Sequence, residues 1–272
     1  MIERRFVEIN DLEVSYLIKP SDKPKVTIVF IHGFPFSSEI WRKQLEPLDE
    51  NVQGIAYDIR GFGESSTDHP FFSIDLFARD LCRFIETLSL ENVVLCGVSM
   101  GGYIALRVIE IAPELISGLI LCDTNASSDS NEGKLKRFAS IDEIMRNGTD
   151  KFAENFVANL FSDHTLRSGS KVPEFIRELI TSTLPQVICS TQLALASRTD
   201  STGVLQAVKV PVLVIRGADD RLMTQEQADV LKDSVRDSEL EIIPHAGHLP
   251  NCEAPAVFNS KLKDYLSKHF LS

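Results

Sequence analysis

Short apolar runs alternate along this chain with segments of helical period, and this alternation constrains the fold more than any other feature. The clearest run, residues 26–31, is continuous and rich in β-branched residues, as expected of a strand buried on both faces of a parallel sheet. Similar or weaker runs lie at residues 52–57, 93–96, 119–122, 210–215 and 240–243. Helical patterns alternate with them at residues 74–88, 103–112, 225–235 and 255–270. This order is typical of βαβ units, so the sequence predicts an α/β fold with a mostly parallel sheet.

The first and middle parts of the chain depart from this alternation. Two further strands are predicted at the start, around a turn at Asn10. After residue 125 no strong strand pattern recurs until residue 209, and the polar stretch 127–133 predicts a loop followed by helices. We therefore predict an α/β core from residues 1–125 and 209–272, with a helical insertion at 126–208. The insertion is either a packed accessory layer or a cap that forms one wall of a substrate pocket.

The composition limits the classes of partner. The formal net charge of −11 disfavours nucleic acids and anionic membranes, because both bind basic surfaces. The N-terminus lacks the apolar run of a signal peptide, and no stretch approaches the roughly 20 apolar residues of a membrane span. The five cysteines are odd in number and lack the CxxC spacing of zinc sites. We expect a reduced, cytoplasmic protein without disulfides or structural zinc that acts on a small molecule, and the sequence predicts no oligomeric state.

The strongest chemical signal is the pentapeptide 97–101, Gly-Val-Ser-Met-Gly, with Ser99 at its centre. It follows the predicted strand 93–96 and precedes the predicted helix 103–112, which is the setting that a G-x-S-x-G nucleophile motif requires. A serine at so tight a turn needs small neighbours, and its hydroxyl then projects above the sheet edge at a helix N-terminus. The sequence therefore predicts Ser99 as a nucleophile.

A serine hydroxyl needs a neighbouring base, and histidine is the usual one. Of the six histidines, His245 and His248 follow the last predicted strand, at the sheet edge where Ser99 is presented. We favour His248, because it lies further from the strand and follows Gly247 in what we expect to be a flexible turn. His245 is then a structural residue, and His32 is expected to brace the turn that contains it.

The base in turn needs an acid that holds its tautomer. Asp219 and Asp220 both follow the strand at 210–215. The chain order serine, aspartate, histidine fits Asp220, while Asp219 and Asp123 remain alternatives. A spare aspartate would serve as a capping or turn residue.

An oxyanion hole needs backbone N–H groups aimed at the developing negative charge. One donor is expected from Met100, the residue after the nucleophile. The other is expected from Phe34 in the loop after the strand at 26–31, where Gly33 permits a sharp turn and Pro35 has no N–H. The loop 58–65 is expected at the same edge of the sheet.

The motifs together resemble the α/β-hydrolase superfamily. They run in order as His32-Gly33-Phe34-Pro35, Asp58-x-Arg60-Gly61-x-Gly63-x-Ser65, Gly97-Val98-Ser99-Met100-Gly101-Gly102, Gly217-x-x-Asp220 and Gly247-His248. The resemblance implies an eight-stranded, mostly parallel sheet flanked by helices, with a helical cap inserted after strand six. It also implies Asp220 as the acid, His248 as the base, Phe34 and Met100 as the oxyanion donors, and no metal or organic cofactor.

A narrower likeness concerns the activity. Residues 195–202 and 247–255 resemble a bacterial branch similar to 3-oxoadipate enol-lactonases and carboxylesterases. That likeness implies cleavage of a small carboxylic ester or lactone through an acyl-serine. Dehalogenases and epoxide hydrolases of the same fold use an aspartate nucleophile, so Ser99 argues against both. The alternatives are a small-ligand sensor with slow turnover, and a cofactor-free perhydrolase or C–C hydrolase.

Overall fold

The computed structural model describes residues 1–67, 69 and 71–271, so positions 68, 70 and 272 of the predicted core ranges lie outside the described residues. One sheet contains eight strands. In chain order the strands are Glu3–Ile9 (β1), Leu12–Lys19 (β2), Val26–Ile31 (β3), Val52–Tyr57 (β4), Val93–Val98 (β5), Ile116–Cys122 (β6), Val212–Gly217 (β7) and Ser238–Ile243 (β8). Their spatial order is β1-β2-β4-β3-β5-β6-β7-β8. β2 pairs antiparallel with β1 and β4, and the other neighbouring pairs are parallel, which confirms the predicted sheet.

Helices cover both faces of the sheet and fill the connection between β6 and β7. In chain order they are Arg42–Leu45 (α1), Ile74–Thr87 (α2), Met100–Ile111 (α3), Asn131–Asn147 (α4), Thr149–Leu160 (α5), Asp163–Arg167 (α6), Val172–Ser182 (α7), Pro185–Ala196 (α8), Thr202–Leu205 (α9), Gln225–Ser234 (α10), Pro250–Glu253 (α11) and Pro255–His269 (α12). Short 3₁₀ turns lie at Ser38–Trp41 and Pro113–Leu115. Within the described part of the chain, no single helix has the length and apolar character to cross a membrane, although α7 and α8 pass that test jointly as a pair bent by 97°.

The central strands form where the sequence is continuously apolar. Every residue of β3 and β5 is buried, as a strand covered by helices on both faces must be. β8 lies at the sheet edge and is only partly buried, with Ile242 exposed. The core is therefore thickest around β3, β5 and β6, and the loops that follow these strands rest on a rigid support.

The segment between β6 and β7 contains helices α4 to α9, as the sequence predicts for an insertion. α4 packs on α8 and α5 packs on α7, with Phe161, Ile176 and Ile180 fully buried. The two ends of the segment meet, since the N–H of Ser201 donates to the carbonyl of Ala126 at 2.8 Å. The helices of the insertion thus pack on one another, and its two ends are joined at its base.

Parallel strands bring their carboxyl ends to one edge of the sheet, and this edge carries the predicted chemistry. Ser99 follows β5 directly, and Asp123 follows β6 directly. Asp220 lies in the turn after β7, and His248 lies in the loop after β8. Residues far apart in the chain therefore converge on one face of the molecule.

Candidate active site

Ser99 lies in a strained turn between β5 and α3. Its backbone has φ 54° and ψ −116°, a left-handed φ that costs a residue with a Cβ on the order of 1–3 kcal/mol. Its N–H donates to the carbonyl of Cys122 in β6 at 2.9 Å. Its carbonyl accepts from the N–H of Gly102 at 2.9 Å and from the hydroxyl of Thr124 at 2.8 Å. These bonds tie the turn to both neighbouring elements and hold the serine in its strained conformation.

The glycines of the motif allow three elements to approach each other closely. A Cβ on Gly97 would lie 2.3 Å from the backbone of Gly101, and a Cβ on Gly101 would lie 2.2 Å from the carbonyl oxygen of Ile31. No side chain fits at such distances. The sequence prediction that the serine needs small neighbours therefore has a direct steric basis, in the packing of β3, β5 and the first turn of α3.

His248 and Asp220 form a buried pair. The His248 Nδ1 lies 2.8 Å from the Asp220 Oδ2, and the other carboxylate oxygen accepts from the N–H of Leu222 at 2.8 Å. Burial alone would raise the pKa of Asp220, but the charge and hydrogen bond of His248 lower it overall, so the carboxylate is held ionised. Asp219, the first alternative, is exposed, and its N–H bonds to the carbonyl of Ala246.

The turn that carries His248 is packed, which corrects the expected flexibility at Gly247. A Cβ on Gly247 would lie 2.7 Å from the carbonyl oxygen of Leu160, and its N–H donates to the Glu253 carboxylate at 2.8 Å. The N–H of His248 donates to the same Leu160 carbonyl at 2.8 Å. Gly247 is thus required for close contact with the end of α5. His245 is exposed and stacks on His164 with ring centroids 5.4 Å apart.

Asp123, the second alternative acid, lies beside the pair but is bound differently. Its Oδ1 accepts from the N–H of Gly217 at 2.9 Å, and its carboxyl group also interacts with the Asp220 carboxylate. Burial, the charge of Asp220 and a hydrogen bond to Asp220 raise the pKa of Asp123 well above its ordinary value, which favours the neutral form of this carboxyl group. The structure therefore brings together two carboxyl groups whose pKa values are shifted in opposite directions.

Asp123, Asp220 and His248 also have the residue types of a metal site, with one ligand atom each within 4.8 Å of the others. Two ligands of a tetrahedral zinc ion would lie roughly 3.3 Å apart, given zinc–ligand bonds of about 2.0–2.1 Å. The Nδ1–Oδ2 distance of 2.8 Å between His248 and Asp220 is that of a direct hydrogen bond. The geometry thus fits a carboxylate–imidazole pair better than a metal centre.

A cavity of about 420 Å³ opens at this edge of the sheet. Its lining includes Ser99, His248, Phe34 and Met100, four of the residues that the sequence analysis singles out. Within the described residues, no hydrogen bond joins the Ser99 hydroxyl to the His248 ring. Such bonds are often long in enzymes without substrate and tighten when it binds. The two side chains share one solvent-accessible space of the volume of a small ligand site.

Two backbone N–H groups border this cavity. Met100 begins α3, and the first N–H groups of a helix have no acceptor within that helix. The N–H of Phe34 likewise has no hydrogen-bond acceptor among the residues that the structure describes. Both groups are thus free to donate to an oxygen atom bound beside Ser99.

The cavity has an apolar wall and a charged wall. Phe34 packs edge-on against Phe156 of α5, with ring centroids 6.1 Å apart, and both line the apolar side. Asp129, Arg137 and Arg198 line the charged side. The sequence analysis did not single out these three residues, because a polar insertion gives no pattern that shows which of its faces meets the cavity.

The loop 58–65 and His32 support the site without lining the cavity. The His32 Nδ1 bonds to the carbonyl of Gly33 at 2.8 Å, and its Nε2 accepts from the N–H of Ile59 at 3.1 Å. Asp58 accepts from the N–H of Ser38 at 2.6 Å, and Arg60 forms a buried ion pair with Asp80 at 2.7 Å. The bonds of Ile59 and Asp58 join the loops after β3 and β4, which matches the bracing expected of His32, and the pair of Arg60 with Asp80 ties the second loop to α2.

The buried ring of His32 predicts a pH-dependent stability. Burial lowers the pKa of His32 to about 4, against opposing effects of the Asp58 carboxylate and the Gly33 carbonyl. Between pH 6.5 and 4 the unfolded chain binds the proton and the folded protein does not, so folding stability falls as the pH falls. We expect the free energy of unfolding, measured in urea, to fall between pH 7 and 4.5 by about 2–3 kcal/mol more in wild type than in His32→Gln.

The exposed His164 provides the control for this prediction. The substitution His164→Gln removes a histidine that is exposed rather than buried, so we expect it to leave the pH dependence of the wild type unchanged. Parallel stability curves for wild type and His32→Gln would contradict the prediction, as would an NMR titration that gives His32 an ordinary pKa.

Comparisons with known proteins agree with this architecture. A family model described as the alpha/beta hydrolase fold matches residues 26–255. The 3-oxoadipate enol-lactonase 2 of Acinetobacter baylyi is 25% identical over 249 residues, covering 91% of this chain and 90% of that protein. The 2-hydroxy-6-oxo-6-(2'-aminophenyl)hexa-2,4-dienoic acid hydrolase of Metapseudomonas resinovorans is 26% identical over 272 residues, covering 97% of this chain and 91% of that protein.

A solved structure is similar to this chain in fold and has a higher sequence identity than these two relatives. The malate-bound thermophilic esterase from Thermogutta terrifontis matches with a TM-score of 0.90 and 31% identity, covering 98% of this chain and 99% of that one. The fold is thus the one that the family model describes and that this esterase shares.

Proposed function

Because this chain belongs to the α/β-hydrolase fold family, we propose that it is a serine hydrolase that cleaves a small carboxylic ester or lactone. One observation carries the proposal: the strained Ser99 lines the same cavity as His248, and the Nδ1 atom of His248 is paired with the buried Asp220 carboxylate. We assign Ser99 as nucleophile, His248 as base and Asp220 as the acid that orients the base. The N–H groups of Phe34 and Met100 form the oxyanion hole.

The first half of the reaction acylates the serine. His248 removes the proton from the Ser99 hydroxyl through Nε2 as the oxygen attacks the substrate carbonyl carbon. The carbonyl oxygen becomes an oxyanion that accepts hydrogen bonds from Phe34 and Met100. The C–O bond to the alcohol then breaks, and His248 returns the proton to the departing oxygen. In a lactone the same step opens the ring and leaves the alcohol attached to the acyl group.

The second half releases the acid. His248 takes a proton from water, the hydroxide attacks the acyl carbon, and the oxyanion hole stabilises the second tetrahedral intermediate. Collapse of this intermediate breaks the bond to the Ser99 oxygen, which recovers its proton from His248. The Asp220 carboxylate stabilises the positive imidazolium that forms in each half.

The proposal extends to the division of the chain. Residues 1–125 and 209–272 form the hydrolase core, and residues 126–208 form a cap over the cavity. Phe156 of α5 and the charged residues around α4 support this assignment, because they line the cavity together with Ser99. The cap would then set which substrate side chains fit, while the core supplies the chemistry.

Hydrolysis of the C–C bond of a diketone-type substrate is a second candidate, favoured by the similarity to the Metapseudomonas hydrolase. It uses the same cavity and the same residue types, so the reaction product distinguishes the candidates. An ester releases an alcohol and an acid, whereas a cleaved C–C bond releases an acid and a carbon fragment that has gained a proton.

The test of the proposal combines turnover with active-site labelling. We expect the protein to hydrolyse 4-nitrophenyl acetate and butyrate, and a fluorophosphonate to stop turnover by adding one phosphonyl group to Ser99. Intact-mass measurement and peptide mapping locate the adduct. A folded protein that neither turns over a panel of esters and lactones nor reacts with the probe would contradict the proposal and favour the ligand-sensing alternative.

A further inference from the structure

Two guanidinium groups and one carboxylate form a cluster on the wall of the cavity. Asp129, which precedes α4, forms ion pairs with Arg137 of α4 and with Arg198, which follows α8. Arg137 also donates to the Gln192 side chain at 3.0 Å, and Arg198 donates to the carbonyl of Ser127 at 2.8 Å. These bonds fix both guanidinium groups in position before a ligand arrives.

The cluster carries a surplus positive charge. Burial would raise the pKa of Asp129, but hydrogen bonds and charge from Arg137 and Arg198 lower it overall, so its carboxylate is ionised. Among the residues that line the cavity, one negative charge therefore faces two positive charges, and the Asp200 carboxylate acts on Arg198 from outside this lining. Among the described residues that line this cavity, the other side chains are neutral apart from the titratable His248. A local positive charge in a chain of net charge −11 indicates selection for an anionic ligand.

The two arginines differ in what they offer to a ligand. The Arg198 side chain is only 5% exposed, and its guanidinium lies 4.2 Å from the centre of the Tyr103 ring, where a cation is favourably placed. The Arg137 side chain is 23% exposed and borders the cavity. A guanidinium carries five N–H groups, and the contacts of Arg137 with Asp129 and Gln192 leave some of them free.

The backbone around the cluster also favours an anionic ligand. Ser130 caps α4 and Gly133 lies in its first turn, and both line the cavity. The N-terminus of a helix carries a partial positive charge, which favours an anion nearby. The planar, forked guanidinium of Arg137 beside this helix end matches the two oxygens of a carboxylate.

We propose that the substrate carries a carboxylate group besides the bond that is cleaved, and that Arg137 binds this group while Arg198 and Asp129 hold Arg137 in place. This inference rests on the proposed function and names its substrate class as small anionic esters. Arg137 is then a specificity-determining residue. The carboxylate belongs either to the acyl part or to the alcohol part, and the experiment separates these two sources.

The test compares each anionic ester with its methylated, neutral form. The acyl-side pair is mono-4-nitrophenyl glutarate and its methyl ester, and the alcohol-side pair is 4-acetoxybenzoate and its methyl ester. For each pair and each protein, kcat/KM for the anionic ester is divided by kcat/KM for the neutral ester. The readout is this ratio in wild type divided by the same ratio in Arg137→Gln, because the quotient cancels the difference in intrinsic reactivity between the two esters. We expect this quotient to be about tenfold or more for one pair, since a hydrogen bond between charged groups contributes that much.

The control variant is Arg146→Gln, an exposed arginine further along α4 that does not line the cavity. It removes the same charge from the same helix and should leave both ratios unchanged. A quotient near one for both pairs, with neutral esters still hydrolysed, would overturn the inference and leave the proposed serine hydrolase standing.

A binding measurement decides the question without turnover. We expect calorimetry to show that Ser99→Ala binds methyl hydrogen glutarate or 4-acetoxybenzoate at least about tenfold more tightly than the corresponding dimethyl glutarate or methyl 4-acetoxybenzoate. The added substitution Arg137→Gln should abolish the difference. Equal affinity for charged and neutral forms in the Ser99→Ala protein would overturn the inference even if Arg137→Gln does not fold.

Discussion

Replacement of Ser99 by alanine is expected to reduce kcat for ester hydrolysis by roughly 10⁴- to 10⁶-fold, because catalytic residues that act as a unit lose nearly all their effect together. The strained turn should survive the change. Its hydrogen bonds to Cys122, Gly102 and Thr124 involve only backbone atoms of Ser99, and alanine has the same Cβ. Circular dichroism and thermal unfolding should therefore match those of the wild type.

Ser128→Ala is the matched control for this experiment, because Ser128 places another hydroxyl in the same cavity. We expect its kcat to stay within about threefold of wild type, since a neutral hydrogen bond contributes little net free energy. Residual activity of Ser99→Ala above a few per cent, in protein free of wild-type contamination, would show that another group attacks the substrate.

The substitution Asp220→Asn is expected to lower kcat/KM by roughly 10³- to 10⁴-fold. An amide that faces His248 Nδ1 supports the wrong tautomer and does not stabilise the imidazolium. The loss should persist across the pH range in which the wild type is active, because no pH in that range restores a carboxylate. Measurement of kcat/KM for a 4-nitrophenyl ester between pH 5 and 9 tests this expectation.

Asp123→Asn separates the two buried carboxyl groups. The raised pKa of Asp123 favours its neutral form, and its side chain accepts a hydrogen bond from the N–H of Gly217, which an asparagine side chain of the same shape can also do. We expect Asp123→Asn to lower kcat/KM by less than about tenfold. Equal losses in Asp123→Asn and Asp220→Asn would assign the acid function to both residues, and a larger loss in Asp123→Asn would reverse the assignment.

The sequence predicts the sheet well where burial alone decides the structure. The strand at 26–31 agrees with β3 at both ends, because every residue of it is buried. The run at 93–96 is shorter than β5, which continues to Val98, since Gly97 interrupts the apolar pattern. Likewise the helix predicted at 103–112 begins at Met100 in the structure. In both places the glycines serve tight packing, which outweighs their low propensity for regular structure.

The site is predictable in proportion to how local its signals are. Ser99 has a motif in its own neighbours. Chain order and strand ends limit the acid and the base to a few candidates, and the resemblance to the family favours Asp220 and His248 among them. The opposite pKa shifts of Asp123 and Asp220 depend on burial and on the distance between the two side chains, which the sequence does not contain. The ion pair of Asp129 with Arg198 joins a residue before α4 to a residue after α8, and no periodic pattern in the sequence predicts it.

The order of the site residues along the chain affects how the protein is made. Ser99 is synthesised first, then the insertion, then Asp220, and finally His248 on the loop after β8. β8 pairs only with β7 at the edge of the sheet, so the strand that presents the base is the last to join. Under the proposed function, a ribosome-bound chain that has not yet extended past residue 248 carries an unactivated serine. On that proposal, translation passes through a catalytically silent intermediate, and chains that terminate before residue 248 are expected to hydrolyse no ester.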